Sequence, residues 1–374
     1  MPTLFDELRI GALVARNRAI RSATAESLAT RDGIPTPQLR ALYEELAAGG
    51  VGTIITGYAY VAPDGKPSEG ALGIYDDSFL GEYRGLVEAV HAQGAAIVLQ
   101  LAYGGSKSKL APDDARRIAR PGDGPNVDIL GASAVENPKT HLVPREASAE
   151  ELAQLARSFG DAAARARACG FDGVEVHVAH GYLLSQFLSP RFNGRTDEYG
   201  GSLRNRARLA CECVAAARAA VGEGYPVFAK VNSCDAVDDP EGAGGGLGEG
   251  ESAQVCAWLV EAGASCIDVS GDWYAATLRA EAGEPYFAQF GARIASALEA
   301  PVIVTGGWRD RAIVERHLAN DGIAGVGMSR PLICEPGLIS RWQSGDDRPS
   351  ACIACGSCQK APGVPCPQRD RANS

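Results

Sequence analysis

Short β-branched apolar runs recur eight times along the chain, each followed by Gly or turn residues and then by a longer Ala/Leu/Glu/Arg-rich stretch with helical spacing. The runs fall near Ala19–Ala23, Gly52–Thr56, Ala96–Leu101, Gly173–His177, Pro226–Asn232, Cys266–Ser270, Pro301–Thr305 and Ile323–Gly327. Between them the spacing predicts helices over Pro37–Ala48, Leu80–Ala92, Ser148–Ala168, Leu203–Val221, Gly250–Ala262, Ala288–Leu298 and Ala312–Ala319. Ser148 with Glu151 three residues later reads as a capping box opening the third helix. Eight strands alternating with helices form the pattern of an α/β fold of the TIM (β/α)8 barrel type, whose catalytic groups lie just beyond the C-terminal ends of the strands. A doubly wound open sheet shares this alternation, but its Gly-x-Gly-x-x-Gly turn after the first strand is missing here.

At 374 residues the chain divides into a barrel over 1–340 and a short Cys-rich C-terminal tail over 341–374. Lys and Arg number 36 against 46 Asp and Glu, a net charge of -10 that repels phosphate backbones and anionic membrane surfaces, so nucleic acid and membrane are excluded as partners. No apolar run approaches the ~18 residues of a membrane span. The opening Met1-Pro2-Thr3-Leu4-Phe5-Asp6-Glu7 lacks a basic segment followed by an apolar one, so a cytoplasmic location is expected. The connection from Ala102 to Arg145 is long for such a fold and reads as a functional or covering element. Glu241–Gly250 reads as a solvated loop.

Chemistry concentrates in two places. His177 ends the fourth strand and His180 follows three residues later, so two imidazoles can converge at the barrel mouth and hold an anion or a carbonyl oxygen. The alternative is one structural His and one metal-binding or solvent-facing His, although two His with no third ligand nearby make a weak zinc site. Of eleven Cys, seven are scattered singly (Cys169, Cys211, Cys213, Cys234, Cys256, Cys266, Cys334), while Cys352, Cys355, Cys358 and Cys366 crowd into the tail.

The run His177-Val178-Ala179-His180-Gly181-Tyr182-Leu183-Leu184-Ser185-Gln186-Phe187-Leu188-Ser189-Pro190, then Asn193 to Ser202 and Asn205-Arg206, resembles the Old Yellow Enzyme family of FMN-dependent oxidoreductases. The resemblance extends to Asn17-Arg18, Gln100-Leu101, Lys230, Thr305-Gly306-Gly307 and Gly327-Met328-Ser329-Arg330-Pro331, covering Leu4 to about Leu338. It implies FMN on the barrel mouth, with the phosphate held by open backbone N–H groups at Gly306, Gly307 and Gly327 and by Arg330. Lys230 would stand beside flavin N1 and the C2 carbonyl, Gln100 at the pyrimidine edge, and Thr24 and Gly57 elsewhere on the cofactor. For two of these the residues leave alternatives: Lys230 paired with Asp235, and Gln100 as a polar barrel filler. His177 and His180 match the pair that binds the oxygen of an α,β-unsaturated carbonyl, and Tyr182 matches the proton donor, with a packed aromatic as its alternative. Arg195, Asp197 and Tyr199 would fix the loop.

The sequence departs from the common pattern in three places. Ala23-Thr24-Ala25 stands where many members have a Pro-Met or Pro-Leu pair followed by Thr or Cys, and Ala102-Tyr103-Gly104-Gly105 replaces a Trp-His pattern on the substrate side. The third is the tail, which resembles the cluster-binding segment of dienoyl-CoA reductase and trimethylamine dehydrogenase relatives, with a shorter spacing to Cys366. Four thiolates suit a four-iron four-sulfur cluster; structural zinc, or unmetallated thiols or disulfides, are the alternatives. The chain stops soon after Cys366, so no second FAD and NAD(P)H domain is expected. These features lead to an ene-reductase fed by NAD(P)H, or by a reduced flavoprotein or ferredoxin through the cluster, with a homo-oligomer left open. The competing readings are an amine oxidative demethylase with an aromatic cage drawn from Tyr58, Tyr60, Tyr103, Trp273 and Tyr274, and a non-catalytic electron carrier.

Overall fold

The computed structural model describes residues 1–109, 126–236, 242, 244–271 and 285–369. Eight strands, β1 (Ala19–Arg21), β2 (Thr53–Ile55), β3 (Ala96–Ala102), β4 (Gly173–Val178), β5 (Val227–Asn232), β6 (Cys266–Ser270), β7 (Val302–Thr305) and β8 (Gly325–Met328), pair in parallel in chain order, and β8 pairs back with β1 to close the barrel. The outer ring holds α1 (Pro37–Ala48), α2 (Leu80–Ala92), α3 (Ala149–Ala168), α4 (Leu203–Val221), α5 (Glu249–Glu261), α6 (Ala288–Ala297), α7 (Arg311–Asn320) and α8 (Leu338–Gln343). Every residue of β3, β4 and β5 is buried, because the helices cover one face and the barrel interior the other; this is why the strands read as near-continuous apolar runs. The capping box of Ser148 and Glu151 is formed at the start of α3.

The barrel interior is layered. Its lower layer is apolar, with Ile20, Ile55, Val98, Phe228, Cys266 and Ile303 packed together with Leu8, Ile10, Leu13 and Ala15. Those last four come from an antiparallel hairpin, Leu8–Ile10 with Leu13–Ala15, which the sequence reading did not anticipate. Two residues further along β3, β5 and β6 the side chains become polar, and β4 adds Glu175 at the same level: Gln100, Glu175, Lys230 and Asp268 are all buried. Parallel register sets Gln100 beside Glu175, His177 beside Lys230, and Lys230 beside Asp268, so the polar layer is a property of the sheet itself.

Three irregular regions carry more structure than expected. In the long third connection, Asn126–Gly131 pairs with Pro144–Glu146, while 110–125 lies outside the described residues. A short helix, Leu183–Leu188, follows the two His, and another, Arg330–Cys334, follows β8. In the Gly-rich segment 241–250, positions 241 and 243 lie outside the described residues and α5 starts at Glu249. The tail lies against the barrel. The Ser350 N–H donates to the Arg309 carbonyl (2.7 Å), the Gly363 N–H donates to the Glu26 carbonyl (2.7 Å), and Cys358 and Val364 pack on Ile333. Among the described residues no helix is long and apolar enough to cross a membrane.

Candidate active site

A cavity of about 680 Å³ opens at the C-terminal end of the barrel, within the range of small-molecule sites. Its lining gathers Thr24, Gln100, His177, His180, Tyr182, Lys230, Gly306, Gly307, Gly327 and Arg330 from six different βα units. It also includes Cys352 and Cys358 of the tail. Gly57 lies off it, in a crevice beside Glu26 and Tyr58, with its N–H donated to the Tyr43 hydroxyl (2.9 Å). Of the aromatic-cage candidates, Tyr58 lines the cavity, whereas Trp273 and Tyr274 lie outside the described residues.

Lys230 forms the floor. Its ammonium is held by Asp268, stands 3.3 Å from Glu175 and donates to the Ser22 hydroxyl (3.4 Å). The pairing with Asp235 is not made; Asp235 accepts instead from the Ser189 hydroxyl and the Leu247 N–H (2.8 Å). The reason is topological, since Asp268 and Glu175 are on the strands flanking β5, whereas Asp235 has already turned off the barrel. Burial pulls Lys230 down, but the two carboxylates outweigh it and hold the ammonium above its ordinary range. One cation cannot satisfy two carboxylates. Asp268 takes Lys230 and the Thr305 hydroxyl (2.8 Å), while Glu175 accepts the Gln100 amide (2.8 Å) and leaves its Oε1 without a partner. Burial therefore pushes Glu175 up. Glu175 and Asp268 are functional residues that sequence reasoning missed; their period-two spacing with His177 and Ser270 was the available clue.

Above this floor, His177 lies 5.2 Å from His180 and 4.9 Å from the Tyr182 ring, centroid to centroid. The His180 backbone is in the left-handed region (φ 58°), where the chain leaves β4 and swings the second imidazole back over the first. That turn is fixed by the His180 N–H donating to Asn232 Oδ1 (2.9 Å), and the ring Nε2 meets the Ser270 hydroxyl at 2.9 Å. Burial, together with the positive neighbours Lys230 and Lys107, holds both imidazoles well below their ordinary range, so they are neutral at pH 7. His177 Nδ1 is buried without a partner. A buried polar atom left open in a cavity is what a ligand oxygen would satisfy. Lys107 donates to the His180 carbonyl and sits 4.7 Å over the Tyr182 ring. It was not a site residue in the sequence reading.

At the opposite end, β7 and β8 deliver Gly306, Gly307 and Gly327 beside Arg330. The positive φ of Gly306 (118°) and Gly307 (90°) and the lack of room for a Cβ at Gly327, which would meet Thr305, keep the chain thin here. The Gly306 N–H is not open as expected: it donates to the Gly327 carbonyl (3.0 Å), so Gly306 contributes space rather than a donor. Arg330 donates to the Tyr286 hydroxyl (3.0 Å) at the cavity edge. Thr24 bonds Ser329 (2.8 Å) between these loops.

Residues 3–348 match the model of the NADH:flavin oxidoreductase / NADH oxidase family. The chain belongs to that family. It is 35% identical over 363 residues to an NADH oxidase from Thermoanaerobacter brockii, covering 95% of the chain and 53% of that relative. It is 32% identical over 335 residues to an NADPH dehydrogenase from Bacillus subtilis strain 168, covering 89% of the chain and 92% of the relative. It superposes on 2-naphthoyl-CoA reductase in complex with 2-naphthoyl-CoA with a TM-score of 0.82 at 25% identity, over 96% of the chain and 54% of that structure. The chain thus spans about half the length of the NADH oxidase and of the naphthoyl-CoA reductase.

The resemblance to Old Yellow Enzyme proteins therefore holds at the level of family and fold: the chain is a member of this flavin oxidoreductase family built on a TIM barrel. The cavity suits the family's FMN, with a Gly-thinned, Arg-bearing end for a phosphate and a Lys-Gln floor for a polar ring edge. The tail is less complete. Cys334, counted among the scattered cysteines, joins this group: burial, with Cys366 and Cys352 close by, pushes its thiol up to about 12, and burial with Cys352 and Cys366 close by also raises Cys358. Cys355 donates to the Ser357 hydroxyl (3.4 Å). Among the described residues no three His, Cys, Asp or Glu side chains stand as a metal-holding group, so the four tail thiols do not form a cluster cage as placed.

Proposed function

We propose that this flavin oxidoreductase is an ene-reductase that reduces the activated C=C of an α,β-unsaturated carbonyl compound. The observation that carries the reading is the pair of neutral, buried imidazoles, His177 with an open Nδ1 beside His180, with the His177 ring 4.9 Å from that of Tyr182. A neutral imidazole can donate a hydrogen bond without giving up its proton, which suits an oxygen that gains charge as the reaction proceeds. FMN held in the cavity would supply hydride chemistry. His177 and His180 hold the carbonyl oxygen and thereby polarise the double bond. Tyr182 gives its proton to the α carbon, and burial keeps that phenol protonated until then by holding it well above its ordinary range. Lys230, Gln100, Arg330, Thr24 and the three glycines hold the cofactor; Gly57 supports the wall behind Tyr58.

NADH or NADPH is the proposed donor, as the names of the relatives suggest. The expected relay through a tail cluster finds no cage among the thiols, and no electron route is drawn through it. The amine demethylase reading is disfavoured by Lys107, whose ammonium already occupies the aromatic face of Tyr182 that a cationic substrate would need. The test is anaerobic. The flavin-loaded protein is reduced with NAD(P)H and mixed with cyclohexenone, and reoxidation with formation of cyclohexanone is expected. Failure of enones to reoxidise the flavin, with reduction by an amine instead, would overturn the assignment.

A further inference from the structure

We propose that Tyr58 and Ser68 form a proton relay that re-protonates Tyr182 after it has delivered its proton. This rests on the reading of Tyr182 as the donor to the α carbon. Tyr58 stands just beyond the end of β2, and its ring lies 5.3 Å from that of Tyr182, tilted by 57°. The two rings pack together on the cavity wall, and the nearness of Tyr58 adds to burial in raising the Tyr182 phenol. The Tyr58 hydroxyl in turn lies 2.9 Å from the Ser68 hydroxyl. All three residues line the same cavity, and Ser68 is half-buried beside the exposed Glu69, so the chain of hydroxyls leads from the reaction point to solvent.

A relay is needed because neither imidazole can supply Tyr182 with a replacement proton and the Lys107 ammonium is committed to the His180 carbonyl. Burial makes the phenolate costly and both imidazoles are held neutral, so neither His carries a spare proton at pH 7. Once substrate and cofactor fill the cavity, bulk water is kept from the phenol. Each transfer conserves protons. The Tyr182 O–H breaks as the α C–H forms; in one concerted shift the Tyr58 proton passes to the Tyr182 oxygen and the Ser68 proton to the Tyr58 oxygen, and a proton from solvent hydronium or a buffer acid restores Ser68. The Lys107 ammonium, 4.7 Å over the Tyr182 ring, favours the transient phenolate meanwhile. The sequence departs from pure packing here, since a Phe at position 58 would fill the same space without the hydroxyl.

The experiment uses the FMN-loaded full chain and the variants Tyr58→Phe, Ser68→Ala, Tyr182→Phe and the Tyr58/Tyr182 double. Steady-state turnover with cyclohexenone, its solvent deuterium isotope effect and the affinity for p-hydroxybenzaldehyde are measured for each. Tyr58→Phe is expected to lower turnover by at least about tenfold, a fraction of what general acid catalysis contributes, and to alter the isotope effect while ligand affinity stays unchanged. The double variant should be no slower than Tyr182→Phe alone, because both changes interrupt one proton path. Unchanged turnover in Tyr58→Phe would overturn the relay. So would an affinity loss that matches the turnover loss, or independent losses that multiply in the double variant. If Tyr182→Phe itself kept full turnover and isotope effect, the donor reading would fall and the relay with it.

Discussion

The barrel mouth and the cysteine tail both carry side chains suited to a cofactor, but they are built in different ways. In the mouth, each polar group comes from a strand whose register is set by its neighbours, so Gln100, Glu175, His177, Lys230 and Asp268 meet as a consequence of closing the sheet. In the tail, the thiols hang on irregular chain held by a few backbone bonds, and they become neighbours without converging. A site written into a sheet is assembled by folding itself; one written into a loop depends on whatever the loop is tied to.

The sharpest way to break the contrast is at the floor. Replacing Lys230 by Met should destabilise the protein by about 3–5 kcal/mol, since Glu175 and Asp268 would be buried with no cation between them. Urea denaturation checks it, and a loss below about 1 kcal/mol would mean that the carboxylates take up protons cheaply and that the layer is less coupled than its geometry implies. Next in size is the imidazole pair. His177→Ala with His180→Ala should abolish phenol binding and slow enone-driven flavin reoxidation by roughly 10²–10³, the scale of losing an oxyanion donor. Tyr182→Phe should slow the reaction while leaving phenol affinity intact.

Glu26 links the two regions, because its carbonyl receives the Gly363 N–H of the tail while its side chain meets Arg21 (3.2 Å) and Tyr43 (3.3 Å) behind the cavity. Burial pushes its carboxyl up to about 7 despite Arg21. A folded-state value above the ordinary carboxylate range means that the folded protein binds this proton more tightly than the unfolded chain. The stability it contributes is present below about 4.5 and is lost as pH rises through about 7. Glu26→Gln should flatten that slope by an amount on the order of 3 kcal/mol between pH 4.5 and 8, read as denaturation midpoints across the range. An unchanged slope would show that the Arg21 pair keeps Glu26 ionised.

What the sequence disclosed follows the same division. The eight strands and the first seven helices could be read to within about two residues at each end, because alternation and helical spacing are local patterns. His177, His180, Tyr182, Lys230 and Arg330 were placed by a long motif, and all reach the cavity. Glu175 and Asp268 were not recognised because an acidic residue inside a strand acquires its meaning only from Lys230 on the strand between them. Cys334 was set aside as solitary because nothing in its own neighbourhood shows that the chain returns to it 32 residues later at Cys366. The N-terminal hairpin was hidden by the shortness of its strands, three residues each.

A smaller effect is expected at the phosphate end. Arg330→Ala should weaken FMN by roughly 1.5–3 kcal/mol, the worth of a hydrogen bond to a charged group. Recovery of FAD in place of FMN, or unchanged FMN affinity in the variant, would move the phosphate elsewhere.

The smallest effect is expected in the tail. Cys355 is not among the residues that line the flavin cavity, and its thiol donates to the Ser357 hydroxyl within the tail. If the mouth is a self-sufficient site, Cys355→Ala should leave phenol affinity and reoxidation of chemically reduced FMN by an enone unchanged, within about 0.5 kcal/mol, as for a substitution away from the working parts. The same protein, purified anaerobically, is assayed for iron, zinc and labile sulfide. Iron with sulfide in the parent and neither in the variant would show that the thiols close around a cluster once the metal is supplied, as metal sites often do only on binding. One-electron entry would then be the function lost, with the enone half-reaction intact. If the enone half-reaction itself slowed, the tail would be part of the working site, and the separation drawn between loop-borne and strand-borne chemistry would fail for this molecule.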